Sequence, residues 1–277
     1  MKYVELPGGE KLPALGLGTW KMGIGAADEA AQLRALKAGI AQGMTLIDTA
    51  EMYGDGRSEQ LVAEAIAGQR EKLFVVSKVL PHNASRPGTI KACEASLKRL
   101  RTDVLDLYLL HWRGSYPLTE TFAAFEELRA AGKIRHFGVS NFDVDDLDEL
   151  NRLVPRNACA ANQVMYNLAD RGIEWDLYPK CQKDKMAVMA YCPLGQGRLI
   201  SRSGLDAIAK KHRVTNSAIA LAFTLRLPGV ISIPKSSHEK RVLENAAAAD
   251  VVLDNDDLAT LDKLFPPPRK KHSLAIT

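Results

Sequence analysis

Residues 74–111, FVVSKVLPHNASRPGTIKACEASLKRLRTDVLDLYLLH, carry the reading on which the fold turns. Two short apolar runs, Phe74–Lys78 and Leu105–His111, bracket a longer stretch of helical period, Pro87–Leu100. A strand, a crossover helix and a second strand make a parallel βαβ unit. Each apolar run ends on a polar side chain, Lys78 in the first and His111 in the second.

The same unit recurs outward in both directions. Further strands are expected at Ala14–Gly18, Thr45–Asp48, Ile134–Ser140, Cys159–Gln163, Ala187–Tyr191 and Val230–Ile233, which makes eight with the two above. Helices are expected near Asp28–Ala41, Ser58–Ala67, Thr119–Ala131, Asp143–Leu150, Trp175–Lys183, Gly204–Leu227 with a break near Thr215, and Glu239–Ala248. Repeated strand-then-helix units predict an α/β protein with a parallel sheet covered by helices. Eight units in 277 residues fit a closed (β/α)8 TIM barrel. An open doubly wound sheet fits less well, because no GxGxxG turn is present and the nearest cluster, Gly16-Leu17-Gly18-Thr19-Trp20, lacks the third glycine. A turn at Gly8-Gly9 predicts an N-terminal β-hairpin ahead of the barrel. No linker interrupts the pattern, so residues 1–277 are expected to form a single domain.

Composition narrows the function classes. Thirty-seven basic against 33 acidic residues leave a net charge of +4 without long runs of one sign, so neither a nucleic acid nor a membrane surface is expected as partner. The N-terminal stretch MKYVELPGGEKLPALG has no basic region followed by an apolar run, and no signal peptide or membrane span is expected. Cys93, Cys159, Cys181 and Cys192 show no CxxC spacing, which points to a reduced, cytoplasmic protein without a metal site. No long exposed apolar run is evident, and a monomer is expected.

In such a barrel the chemistry stands at the carboxyl ends of the strands. Here those ends read Asp48, Lys78, His111, Ser140-Asn141, Gln163 and Tyr191, with Lys235-Ser236 just past the last strand. Singly, each residue has an ordinary structural explanation, such as a helix cap or a rim charge. An acid, a lysine and a histidine converging on one mouth are harder to explain that way, since burying them unpaired is costly. Tyr53, five residues after Asp48, supplies a phenol whose pKa a neighbouring Lys78 ammonium would lower, making it a proton donor to a carbonyl oxygen, with His111 as a second polar contact. Beyond the eighth strand, Pro234-Lys235-Ser236-Ser237 opens a helix, where free N–H groups and the helix dipole favour an anion.

With Leu15-Gly16-Leu17-Gly18-Thr19-Trp20, Asp48-Thr49-Ala50, Tyr53-Gly54, Ser77-Lys78-Val79, Leu109-Leu110-His111-Trp112, Gly138-Val139-Ser140-Asn141-Phe142, Asn162-Gln163 and Ile233-Pro234-Lys235-Ser236, the chain resembles the aldo-keto reductases over nearly its whole length. These are NADPH-dependent barrel enzymes that reduce aldehydes and ketones. The resemblance implies a catalytic tetrad of Asp48, Tyr53, Lys78 and His111, with Tyr53 as acid. It implies that Ser140, Asn141 and Gln163 hold the nicotinamide carboxamide, that Tyr191 stacks on the ring, and that Thr19, Trp20 and Leu194 also bind cofactor. Lys235, Ser236, Arg241, Glu244 and Asn245 would embrace the adenosine 2′-phosphate and adenine, which favours NADP(H).

The runs Leu46–Tyr53 and Lys91–Leu97 are also similar to bacterial members acting on methylglyoxal and related short aldehydes. Relatives often carry a tryptophan shortly after the lysine, where this chain has Val79-Leu80-Pro81-His82. Trp20, Trp112 and His82 are therefore expected to shape the pocket for a small-molecule carbonyl substrate. A short loop at residues 113–118 and a short tail after Phe265 predict an open pocket. Two other functions suit the same fold: a Schiff-base aldolase using Lys78 as nucleophile, and a cofactor-binding regulatory subunit.

Overall fold

A computed structural model describes residues 1–24, 28–200 and 204–277. Strands β1 (Tyr3–Glu5) and β2 (Lys11–Pro13) form the antiparallel hairpin, turning at Gly8-Gly9. There follow β3 (Leu17–Gly18), β4 (Leu46–Asp48), β5 (Phe74–Val79), β6 (Leu105–Leu110), β7 (Ile134–Ser140), β8 (Cys159–Met165), β9 (Ala187–Tyr191) and β10 (Val230–Ser232). Each pairs in parallel with the next, in chain order. The sheet then closes on itself. Leu15 bridges Ser232 in parallel, Gly16 N–H donates to Ser232 O at 2.9 Å, and Ser232 N–H donates to Ala14 O at 2.7 Å. A Cβ at position 18 would lie 2.7 Å from the Ile233 carbonyl oxygen, so glycine lets the first and last strands meet this closely.

Between the strands run α1 (Glu29–Ala41), α2 (Arg57–Ile66), α3 (Arg86–Leu100), α4 (Leu118–Ala130), α5 (Val144–Leu153), α6 (Leu177–Lys183), α7 (Asp206–His212) and α8 (Asn216–Thr224), and α9 (Glu239–Ala246) and α10 (Asn255–Leu264) follow the last strand. Their starts follow local chemistry. Ser85 and Thr215 accept backbone N–H bonds as N-caps of α3 and α8, and Asp143 and Asp254 form capping boxes with Asp146 and Asp257 at α5 and α10. The break expected near Thr215 is the gap between α7 and α8. Helix α10 is an addition to the sequence reading; its capping box and its apolar Leu258, Leu261 and Phe265 were the available signal.

Helices cover the outer face of the barrel while its interior is filled by side chains, so the strands are buried on both faces and read as largely apolar runs. Outside the wall, Tyr108, Phe122, Phe125 and Phe137 lock β6 and β7 to α4, with successive ring centroids 5.5–5.7 Å apart. Register sets where function can sit. Gly18 pairs with Asp48, Lys78 with Leu109, Ser140 with Gln163 and Met165 with Tyr191, so the polar ends of the strands share one rim.

Candidate active site

Lys78 is fully buried at the end of β5, and its ammonium is completely engaged. Nζ lies 2.8 and 2.9 Å from the two Asp48 carboxylate oxygens, donates to Thr49 O at 2.8 Å and to the Tyr53 hydroxyl oxygen at 3.2 Å. Three acceptors for three N–H bonds leave no lone pair for attack on a carbonyl, which disfavours Schiff-base chemistry. Because Tyr53 accepts from Lys78, its own O–H hydrogen is free to point elsewhere. Tyr53 and His111 meet edge to face with centroids 5.8 Å apart, and both line the same cleft.

The electrostatics depart from the sequence expectation at one point. Burial pushes the Tyr53 phenol well above the ordinary tyrosine value, with Asp48 adding to the effect, so Lys78 does not bring it toward neutrality. The phenol is held as a proton donor. Burial also lowers Lys78, opposed first by Asp48 and then by Glu59. His111 is pushed down to about 2 by burial and by the Lys78 charge, so its imidazole is neutral, and its Nδ1 has no hydrogen-bond partner among the described residues.

The opposite wall is a web of amides and hydroxyls. Gln163 Nε2 donates to Asp48 Oδ1 at 2.7 Å, Ser140 Oγ to Gln163 O at 2.9 Å, and Asn141 Nδ2 to Ser140 Oγ at 3.2 Å and His111 O at 3.3 Å. Tyr191 OH donates to Asn141 Oδ1 at 2.9 Å. Asn141 adopts φ 58°, a left-handed conformation that asparagine tolerates better than most residues.

These groups line a cleft of about 840 Å³ that runs outward past Trp20, Leu194, Lys235, Ser236, Arg241, Glu244 and Asn245. Trp112 borders it as well. Lys78 lies behind the lining, bonded to Asp48 and Tyr53, and two other sequence-picked residues lie apart from the cleft. Thr19 is fully buried behind the wall, where its Oγ1 donates to Asp48 O at 2.9 Å and accepts from Ser58 Oγ at 2.8 Å. His82 sits exposed on the 3₁₀ turn Pro81–Asn83, outside the cleft lining.

Lys21, Ile276 and Thr277 line the cleft and were not singled out from sequence. Lys21 stands 4.4 Å over the Trp20 ring, and burial, with the Lys21 charge adding to it, holds Lys235 below the usual lysine range. Two cations facing one cleft beside the start of α9 suit an anionic group, which their mutual repulsion would favour. The tail does not lie clear of the pocket. Lys271 ties it down, approaching Asp143 at 3.3 Å and Asp176 at 3.5 Å, and its end returns to the cleft, where Tyr191 OH reaches Ala275 O at 3.5 Å and Ile276 and Thr277 join the lining.

Comparison with known proteins agrees with this arrangement. The model of the aldo/keto reductase family matches residues 14–265. Methylglyoxal reductase YeaE of Escherichia coli is 51% identical over 280 residues, covering 99% of this chain and 98% of its own. Glyoxal reductase of Bacillus subtilis is 36% identical, covering 94% and 92%. The crystal structure of an aldo-keto reductase from Klebsiella pneumoniae in complex with NADPH superposes with a TM-score of 0.97 at 49% identity, covering 100% of this chain and 99% of that one.

Proposed function

The chain belongs to the aldo/keto reductase family, and on that premise we propose that it reduces short, reactive aldehydes such as methylglyoxal with NADPH, Tyr53 serving as the proton donor. The observation that carries this reading is the bond from Lys78 Nζ to the Tyr53 hydroxyl oxygen, with Asp48 behind the lysine. It leaves the phenolic hydrogen for a carbonyl oxygen in the cleft. It also sets an ammonium beside the phenolate that forms when the proton leaves.

NADPH fits the long cleft by chemistry. The cationic end made by Lys21, Lys235 and Arg241 would hold phosphate, and the amides of Asn141 and Gln163 would hold the carboxamide beside Tyr191. When bound, the coenzyme supplies hydride to the carbonyl carbon. The protein's part is to orient the carbonyl between Tyr53 and the neutral His111, to exclude water and to give the proton.

Methylglyoxal suits the pocket because its second carbonyl can accept a hydrogen bond from an imidazole or indole N–H. It needs little apolar wall. The E. coli and B. subtilis relatives named for methylglyoxal and glyoxal support the same class. A bulky ketone depends on buried area at about 25 cal/mol per Å², and the tail at the mouth narrows the room for one. We read the chain as a single-domain, monomeric enzyme of the cytoplasm. Its four free cysteines support a reducing compartment, and among the described residues no helix is long and apolar enough to cross a membrane.

The test is NADPH oxidation across methylglyoxal, benzaldehydes, an aldose and a steroid ketone. The highest kcat/KM is expected for methylglyoxal. A clear preference for the steroid overturns the substrate class, and no oxidation with any carbonyl overturns the reading.

A further inference from the structure

Alternation along β5 puts Lys78 on the inner face of the barrel and its neighbour Ser77 on the outer face. Ser77 Oγ donates to Glu59 Oε1 at 2.6 Å, and Arg99 Nε donates to Glu59 Oε2 at 2.5 Å. The Glu59 side chain has no exposed surface. It lies in the first turn of α2, the helix that begins just after the Tyr53-Gly54 loop. Ser58 beside it bonds Thr19 O at 3.1 Å and Thr19 Oγ1 at 2.8 Å, which ties the same turn to the end of β3.

A buried carboxylate is costly, and a neutral amide could accept the Ser77 hydroxyl equally well. Arg99 pairs with that charge on one side, and the strand that carries Lys78 lies on the other. Resting on the reductase reading above, we propose that Glu59 is a positioning residue: through Ser77 it holds the strand carrying Lys78 against the helix that follows Tyr53. Its carboxylate is also a second anion near Lys78, behind Asp48.

The surrounding charges make this specific. Lys78 faces Asp48 from β4, Tyr53 from the following loop, His111 from the end of β6 and Glu59 from α2. Glu59 in turn faces Arg99 and Cys93 from α3, Tyr108 from β6 and Lys78 from β5. Burial works to strip the proton from Lys78, and Asp48 and Glu59 are the two anions that oppose it. With all its N–H bonds engaged, this ammonium exchanges slowly with water and is accessible to ¹⁵N NMR.

The experiment compares the full-length wild type with Glu59→Gln, Glu59→Asp and Ser77→Ala. The Lys78 ¹⁵Nζ titration is followed without coenzyme and assigned by its loss in Lys78→Met. Beside it run the pH profile of kcat with methylglyoxal, KM, NADPH affinity by fluorescence, and thermal unfolding. In Glu59→Gln the Lys78 protonation equilibrium is expected to move by about threefold or more toward the amine. The alkaline limb of kcat should move to lower pH with it, while KM and NADPH affinity stay within about twofold, as expected where only a transition-state interaction is lost.

Glu59→Asp, which keeps the charge, should restore the titration. Ser77→Ala should lower kcat and leave the titration in place. An unmoved Lys78 titration in Glu59→Gln, or an aspartate variant that titrates like the glutamine one, overturns the electrostatic role. Wild-type kcat in Ser77→Ala overturns the tether. Should Glu59→Gln not fold, Ser77→Ala still decides the tether, and Arg99→Met, which frees the Glu59 charge from its partner, decides the electrostatic role: a Lys78 titration moved toward the ammonium supports it and an unmoved one overturns it. Should the wild type reduce no carbonyl, the reductase reading falls, and the NMR titration still decides the effect of Glu59 on Lys78.

Discussion

The side-chain amide of Gln163 donates to Asp48 Oδ1 at 2.7 Å, linking the carboxyl half of β8 to the end of β4. In a ring of eight strands these two stand opposite each other, so the bond spans the mouth of the barrel. The same Oδ1 lies 2.8 Å from Lys78 Nζ, and Oδ2 accepts from Lys78 at 2.9 Å. Asp48 is thereby an acceptor shared by a cation and an amide.

Gln163→Ala removes a donor from this buried carboxylate and should cost about 1–3 kcal/mol of stability. Gln163→Glu should cost more, because it sets a second carboxylate against Asp48. Urea unfolding at pH 7 checks both, and an order in which Glu is the milder change would contradict the bond as described.

Tyr53→Phe removes the hydroxyl and keeps the ring. NADPH affinity should stay close to wild type while kcat for methylglyoxal falls by ~10²–10⁴, the usual effect of losing a general acid. Steady-state kinetics with coenzyme titration measures both, and turnover near wild type would remove Tyr53 from the role of proton donor.

His111 has a pKa depressed from 6.5 to about 2 in the folded protein, chiefly by burial and then by Lys78. The folded state therefore binds fewer protons than the unfolded one in this window. Stability is fully present above about pH 6.5 and is lost as pH falls toward 2, at up to ~1.4 kcal/mol per pH unit for one group. His111→Asn should flatten the decline between pH 6 and 4. Chemical unfolding across that range reads the slope, and equal slopes in the two proteins would count against a neutral buried imidazole.

Arg241 lines the cationic end of the cleft and makes no salt bridge among the described residues. A forked contact with a phosphate is worth roughly 1.5–3 kcal/mol, so Arg241→Ala should weaken NADPH binding about ten- to a hundredfold and leave NADH nearly unchanged. Fluorescence titration with both coenzymes checks this. Equal losses would assign Arg241 to structure or to a phosphate that the two share.

Much of this molecule is written in local pattern. Apolar runs such as Phe74–Lys78 and Leu105–His111, separated by a helix-period stretch, specify parallel strands with helices between, because a strand buried on both faces is mostly apolar and the polar side chains within it, here Ser77 and Asp106, must be hydrogen-bonded. The polar residue that ends each run stands out for the same reason, which made Asp48, Lys78, His111 and Gln163 visible together. Other features were present and less legible. The capping box of α10 is a short polar cluster, and a helix lying outside the β/α alternation carries no periodic cue.

What the sequence by itself determined is the set of chemical groups on one rim, since strand ends and side-chain alternation depend on neighbours in the chain. Closure of the barrel at Leu15 and Ser232, the bond from Gln163 to Asp48, and the return of Ile276 and Thr277 to the cleft were decided only in three dimensions. So were the exclusion of His82 and the charge states of Tyr53 and His111. These depend on distances between residues far apart in the chain and on how much water each group loses. Desolvation is a property of the packed surroundings, and no spacing along the chain encodes it.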